Sequence, residues 1–458
     1  MPCTPVRRIG VALALALAMP APVAAVEPSA SEPSASEPLV EDPAAEDPAL
    51  EDPAAEDPAA ALSALVDAAI AANPGLAARR AMARQLSARA AVAGAWPDPA
   101  VGLEYSNVPV DSLGLADHPM AGLQVRIQQP LRPPAWSRQQ RSVLEERAGA
   151  ADAAVDEAAL VLASQVEVTF WRLARARLLR RVTEAHLRRT EELLDAVRAR
   201  YEVGAVGQSH LLRLRVLRDR LQDDIEDFDR AERELTAALS QALAADRAAT
   251  FATPDAVDTR PPPAEADWLA IAEEHRPEIA RLAAERRAAD AAVSLARTDA
   301  LPDPTVWAGY RLRTVQTDTD PGRDLVSVGI SVPIPTGSGR RARGAVRGWQ
   351  AAASGVDARR EALVDDIVAD MDAILARWRR AAAKATTYEQ QLIPAAETTL
   401  AVTLADFTVG RADFSSLFDA EIALLDLERG RIDAVTTTWL QRAEALATLG
   451  IHPEDARP

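Results

Sequence analysis

Trp96-Pro97-Asp98-Pro99 stops a helix and opens the alternating run Val101, Leu103, Tyr105 against Gly102, Glu104, Ser106, and the device returns at Leu301-Pro302-Asp303-Pro304. Three further echoes keep the same order. Asn73-Pro74 recurs as Arg276-Pro277, Gln129-Pro130-Leu131 as Val332-Pro333-Ile334, and Tyr201-Glu202-Val203-Gly204 as Phe407-Thr408-Val409-Gly410. Their offsets are 205, 203, 203 and 206 residues. A period this long exceeds that of solenoid arrays and marks a duplicated architectural unit.

Each unit carries two short strands. In the first, Leu123, Val125 and Ile127 alternate with Gln124, Arg126 and Gln128, after a turn-rich stretch holding Pro109, Asp111, Gly114 and Pro119. In the second, Val306, Ala308, Tyr310 and Leu312 alternate with Trp307, Gly309, Arg311 and Arg313, then Val326, Val328, Ile330 and Val332 with Ser327, Gly329 and Ser331. Period-two alternation gives each strand one apolar and one polar face. Trp307 breaks the rule by falling on the polar side, and the spacing suggests an interfacial aromatic. Tyr105 and Tyr310 sit on the apolar side, where a lipid-facing girdle belongs.

The rest of each unit is helical. Ala61–Ala95 is rich in good helix formers and is interrupted near Asn73-Pro74. Residues 135–200 contain no proline, enough for a continuous helix of roughly 100 Å. Leu187, Thr190, Leu194, Val197 and Tyr201 follow a 3-4 spacing, answered on the returning helix by Leu214, Leu217, Leu221, Phe228, Leu235 and Ala238. The second unit repeats this over 340–406 and 414–449, with a kink expected at Pro394. The predicted fold class is therefore mainly α with a small β part: a β-hairpin at one end of each unit, and a long antiparallel helical pair reaching away from it.

The ends set the context. Arg7 and Arg8 followed by the apolar run Ile9–Met19 and Val23-Ala24-Ala25 read as an export signal over 1–25. The only cysteine, Cys3, leaves with it, so neither disulfides nor a lipidated cysteine are expected in the mature chain. Residues 26–60 hold eleven acids and no base in Glu-Asp-Pro-Ala-Ala units, the composition of a disordered acidic tether. Without the signal and the tether the formal charge of −17 falls to −8, too acidic a balance for a nucleic-acid partner. The expected organisation is a first repeat at 61–250, a linker at 251–264, a second repeat at 265–450 and a tail at 451–458. No mature segment offers the eighteen or so apolar residues of a membrane helix.

Apolar-out, polar-in hairpins follow the rule of a membrane barrel. Four strands cannot close one, because a membrane barrel tolerates no edges and has at least eight strands. The chain must associate, and closure alone permits a dimer as well as larger rings.

At these residues the sequence resembles the TolC-like outer-membrane efflux proteins, through the duplicated Pro-Asp-Pro strand starts, the paired hairpins and the Tyr/Phe-x-x-Gly turns. The phrase Val326–Pro335 is most similar to the CzcC-like heavy-metal and cation branch. The resemblance implies a homotrimer with a twelve-stranded barrel in outer-membrane lipid, continued by a helical tunnel across the periplasm of a Gram-negative bacterium. It also implies a periplasmic adaptor (membrane fusion) protein and an inner-membrane pump of RND type as partners. Tyr201, Gly204, Ser209, Phe407, Gly410 and Ser415 match the family's tip motif, where adaptor hairpins dock. The same residues also suit a plain helical turn, with Ser209 or Ser415 as N-cap. Asp419 and Ser416 fall where some relatives carry an aspartate pair lining the closed aperture, and a solvated surface acid is the alternative reading of Asp419. Glu104, Arg126, Arg311 and Arg313 are the lumen-facing candidates for tuning conduction, with plain solvation of the barrel interior as the alternative reading.

No catalytic constellation or cofactor site is expected. The histidines His118, His186, His210, His275 and His452 show no ligand spacing with one another. Gly337-Ser338-Gly339 lacks the lysine of a phosphate loop. Mature methionines are only Met82, Met120 and Met371, too few for a soft-metal relay. The competing function is a periplasmic coiled-coil adaptor or scaffold, which needs no apolar strand faces.

Overall fold

The computed structural model describes residues 58–452 apart from 109, 112–117, 119, 247–248, 314–322 and 335. The export signal, nearly all of the acidic tether, Pro109, Gly114 and Pro119 of the first hairpin loop, and tail residues 453–458 lie outside the described residues. The first repeat comprises α1 (Pro58–Ala72), α2 (Pro74–Val92), β1 (Ala100–Ser106), β2 (Gly122–Pro130), α3 (Pro134–Glu202) and α4 (Gln208–Ala242). The second comprises α5 (Trp268–His275), α6 (Pro277–Thr298), β3 (Thr305–Arg313), β4 (Leu325–Ser331), α7 (Ser338–Thr387), a π-helical turn (Tyr388–Leu392), α8 (Ile393–Thr408) and α9 (Phe414–Leu449). Helix α1 starts three residues inside the stretch assigned to the tether, and Gly337-Ser338-Gly339 starts α7.

The strands form one antiparallel sheet in the order β1-β2-β3-β4. Below it α2 packs on α3, α3 on α6 and α6 on α7, so the helices repeat the order of the strands. The 69 residues of α3 extend for roughly 100 Å. Near the far end α3 pairs with α4, α8 with α9, and α3 with α9 across the two repeats.

Duplication extends to how the helix ends are satisfied. Asn73 caps α2 by accepting from the Gly75 and Leu76 amides, and its Nδ2 donates to the Ala242 carbonyl at the end of α4. At the equivalent place Arg276 donates Nη1 to the Ala447 and Thr448 carbonyls at the end of α9. Two different side chains thus satisfy the last carbonyls of a returning helix, which otherwise lack partners. These helix ends are also equivalent: Ala244 (φ 52) and Gly450 (φ 82) both close Schellman turns in the left-handed region.

The expected kink at Pro394 takes the form of the π-helical turn immediately before it. Proline lacks the N–H and crowds the carbonyl four residues back, and a wider turn relieves both. Gly430 on α9 makes room there, since a Cβ would stand 2.5 Å from Cε2 of Tyr388.

The expected helical seam holds with one shift. Thr190, Val197, Leu214, Leu217 and Leu221 are buried, but Tyr201 and Ala238 are exposed, and Leu239 takes the inward position expected of Ala238. Leu239 enters the main core with Leu62, Val66, Val166, Phe170 and Trp171, where Trp171 stacks on Trp439 at 4.4 Å. No single helix among the described residues is long and apolar enough to cross a membrane. The bent pair formed by α1 and α2 has the length and composition, but α1 spends its apolar face on this core.

Candidate functional site

Register places Glu104, Gln124 and Arg311 in one cross-strand row, and Gly102, Arg126 and Gly309 in the next, on a single face. Arg313, opposite Gly122, joins them, so the four lumen candidates share that face. It is well ordered by its own contacts. Arg126 approaches Glu104 at 3.4 Å, and Arg311 donates to Oε1 of the buried Gln124 at 2.8 Å. Arg126 also lies 4.8 Å over the Trp307 ring, whose other contact is Gly329, where a Cβ would meet the ring at 2.6 Å. This explains the misplaced tryptophan: it fills the space left by a glycine on the polar face and is capped by a cation.

The opposite face carries Val101, Leu103, Tyr105, Val125, Ile127, Tyr310, Val326 and Val328, all exposed. Val328 is 76% exposed whereas Gln124 on the polar face is 4% exposed. A water-soluble sheet buries its apolar face; this one presents it, while on the polar face Gln124 is buried, Arg126, Arg311 and Trp307 are half-buried, and Glu104, Ser327 and Ser331 are exposed. The outer edges of β1 and β4 have no neighbouring strand among the described residues.

At the other end, the two Tyr/Phe-x-x-Gly turns are the same structure twice. Gly204 (φ 74) donates to the Tyr201 carbonyl while Ala205 reaches Arg200. Gly410 (φ 77) donates to the Phe407 carbonyl while Arg411 reaches Asp406. Both are Schellman turns with glycine in the left-handed position. The aromatic residues have diverged, however. Tyr201 is exposed, but Phe407 is buried among Val197, Leu211, Leu214, Phe414 and Leu417, so its ring fastens the two hairpins together and is not presented for docking. Arg200 covers it at 4.6 Å and donates to the Thr408 carbonyl.

Neither serine is an N-cap. Helix α4 is preceded by Gly207 without a side-chain cap, and α9 is capped by Asp413, which accepts from the Ser416 amide and hydroxyl at 2.8 and 2.7 Å. These two bonds hold the Asp413 carboxyl below its ordinary range. Ser209 and Ser415 therefore stay at the tip without that capping role, and Ser416 is committed to Asp413. Asp419 is exposed, and the spacing puts it roughly 200° around α9 from the buried Leu417, away from the packed face.

Two features escaped the sequence reading. His186 on α3 is buried between carboxylates of α9, with Nδ1 2.6 Å from Glu421 and Nε2 3.1 Å from Glu428. Burial opposes its protonation, but the hydrogen bonds and charges of the two glutamates outweigh that and raise its pKa. Spacing among histidines held no signal, because its partners lie more than 230 residues away. The second is an apolar groove of 340 Å³ between α4 and α9, lined by Leu212, Arg213, Val216, Arg220, Phe418 and Ile422. Among the described residues no group of three or more His, Cys, Asp or Glu is arranged to hold a metal ion.

Residues 268–450, the second repeat, match the outer membrane efflux protein family. A comparison with curated protein sequences finds no match. Among solved structures the chain is similar to the outer membrane protein VceC from Vibrio cholerae, with TM-score 0.71 and 18% identity over 85% of this chain and 96% of that one. It is also similar to the Campylobacter jejuni CmeC outer membrane channel, with TM-score 0.70 and 13% identity over 87% of each chain. A third likeness is the open state of the Neisseria gonorrhoeae MtrE outer membrane channel, with TM-score 0.68 and 16% identity over 86% and 90%. These likenesses show the fold: long helical hairpins carrying a small antiparallel sheet. Two of these neighbours, CmeC and MtrE, are outer membrane channels.

Proposed function

We propose that the chain is one third of an outer-membrane efflux duct, in which three copies close a twelve-stranded barrel and continue it as a helical tunnel into the periplasm. The observation that carries this reading is a sheet with its apolar face exposed and both edges unpaired among the described residues. Lipid is the environment that satisfies such a face, and closure is what removes the edges. The family match of the second repeat and the likeness to outer-membrane channels support it. A coiled-coil scaffold in the periplasm would leave the apolar face in water.

The duct is passive. Glu104, Arg126, Arg311 and Arg313 line the upper lumen, and Asp419, one from each chain, contributes a ring of carboxylates at the periplasmic aperture. The tip turns at Gly204 and Gly410, with Tyr201 and the groove between α4 and α9, receive the adaptor that couples the duct to an inner-membrane pump. Metal cations of the CzcC-like branch are the proposed cargo, supported by the strand phrase 326–335 alone.

Mass measurement in mild detergent tests the assembly. We expect a species of three chains that opens discrete channels in planar bilayers, and a stable monomer or dimer with channel activity overturns the reading. Asp419→Ala should raise single-channel conductance and weaken divalent-cation block; unchanged values remove Asp419 from the aperture. For the cargo, loss of the chain from its host should lower resistance to divalent metals, and unchanged resistance removes the cation assignment.

A further inference from the structure

The order α2-α3-α6-α7 makes α2 and α7 edge helices, as β1 and β4 are edge strands. When β4 of one copy pairs with β1 of the next, α7 comes to lie beside the next copy's α2. Both edges are basic. Helix α2 holds Arg79, Arg80, Arg84 and Arg89 and no acid; the first nineteen residues of α7 (338–356) hold Arg340, Arg341, Arg343 and Arg347 and again no acid.

Helical geometry aims several of them at the seam. Helix α7 turns Ala342, Val346, Trp349, Ala353 and Val356 inward, which puts Arg340, Arg343 and Arg347 on the other side at about 100° per residue. Helix α2 turns Leu76, Ala83 and Ala90 inward, which puts Arg89 about 120° to one side of that face and Arg84 about 100° to the other, both off the packed side. The heights correspond as well. Arg89 and Arg340 lie within one turn of the helix ends nearest the sheet, and Arg84 and Arg347 about 12–14 Å from those ends. All five are exposed.

Nearby acids are already engaged. Glu145 pairs with Arg141, Glu146 with Arg287 and Asp357 with Arg286, while Asp303 faces Arg132 and Asp299 accepts from the Trp136 indole. Asp98, in the link between α2 and β1, is a single carboxylate against this cluster. Two like-charged edges meeting in a closed ring repel each other unless an anion lies between them.

Resting on the closed-ring reading above, we infer that each seam between copies is an anionic-phospholipid site, in which arginines 340, 343 and 347 of one copy and 84 and 89 of the next hold headgroup phosphate. The position favours lipid. The exposed apolar residues Val332 and Ile334 link β4 to α7 just above the arginines, and the exposed Trp96 and Arg-capped Trp136 sit at the same junction, where tryptophan marks the headgroup level. Arginine offers planar bidentate geometry to phosphate and keeps its charge at every relevant pH. Basic clusters just outside the hydrocarbon layer attract anionic headgroups in proportion to their number.

The test compares the purified assembly in vesicles of phosphatidylcholine alone and with phosphatidylglycerol added. Wild type should retain about three anionic lipids per trimer through purification, one for each seam, and its dissociation midpoint should rise by roughly 5 °C with phosphatidylglycerol. The triple variant R340Q/R343Q/R347Q should lose both the retained lipid and the lipid-dependent rise. The matching lysine variant, which keeps the charge, should retain most of the rise. Equal midpoints in the two lipids for wild type, or undiminished lipid retention in the glutamine variant, overturn the inference. A rise reproduced in phosphatidylcholine by inorganic phosphate alone also overturns it, assigning the seam to free anions. Failure of wild type to form trimers at all removes the seam together with the closed ring, an outcome distinct from trimers that ignore lipid charge.

Discussion

His186 Nδ1 stands 2.6 Å from Glu421 Oε1, joining the first repeat to the second inside the helical bundle where neither group meets water. The same imidazole reaches Glu428 through Nε2 at 3.1 Å. Around this contact, Arg429 donates to Asp224 and Thr183, and Arg189 and Arg431 add positive charge near Glu428. A hairpin of one repeat is thus clamped to a hairpin of the other, close above the tip.

The clamp should depend on pH in a defined window. A histidine whose folded pKa is raised contributes stability that is complete below its unfolded value, about 6.5, and lost as pH rises through the folded one. Burial works against the charge of Glu428, but the hydrogen bond from His186 and the nearby cations prevail and lower its pKa. Its contribution is present above the unfolded value of about 4.3 and is lost as pH falls through the folded one. The two meet between roughly pH 5 and 6.5. His186→Gln should cost about 2–4 kcal/mol there, and the gap should narrow by pH 9, read from urea midpoints across pH. A gap independent of pH would mean that the imidazole acts by shape alone.

The second contact between repeats is asymmetric. Glu167 on α3 is fully buried and receives Nη1 of Arg442 from α9 at 2.9 Å. Burial raises the Glu167 pKa against the opposing pull of Arg442. Arg442→Met strands the carboxylate and should cost about 3–5 kcal/mol, whereas Glu167→Leu/Arg442→Met should recover much of that loss. Denaturation midpoints of the two variants decide it, and a double variant as damaged as the single one sinks the argument.

Strand faces should differ in their tolerance of charge. Arg at Val328 places a guanidinium on the exposed apolar face and should cost about 2–4 kcal/mol near the membrane midplane, with loss of assembled protein from the outer membrane. Arg at Ser327, in the row of Gly309 and Arg126 on the polar face, should be far milder. Equal assembly yields for the two variants would reverse our assignment of the faces.

Gly410 at the tip and Ala244 at the end of α4, both left-handed turn positions, make opposite predictions. Gly410 has φ 77, so Gly410→Pro forces the turn into another conformation and removes the N–H that meets Phe407. Export should be lost while assembled protein stays in the membrane, since the tip lies roughly 100 Å of helix from the sheet. Ala244 has φ 52, where its Cβ is strained. Ala244→Gly should therefore raise the unfolding free energy by about 0.5–1 kcal/mol; a lower melting temperature would contradict this.

Much of this architecture follows from the sequence by itself, because the signals are local. Prolines 97, 99, 302 and 304 end helices before strands, period-two alternation assigns two faces, and a long proline-free run becomes α3. The duplication presents each of these signals twice. The alternation also predicts that four strands with one apolar face need further copies to close.

What only the tertiary structure decided depends on groups far apart in the chain. Phe407 and Tyr201 occupy the same motif position, yet one is buried and the other exposed, because the packing of the second hairpin on the first is not symmetric. Trp307 sits on the polar face because Gly329 on the next strand leaves room for its ring. Asp413, and not Ser415, became the cap because backbone direction at the turn sets which oxygen meets the Ser416 amide. His186 gained its role from carboxylates of the other repeat. Local propensity sets where helices and strands begin and end, but burial and charge pairing are properties of three-dimensional neighbours, and no short-range pattern encodes them.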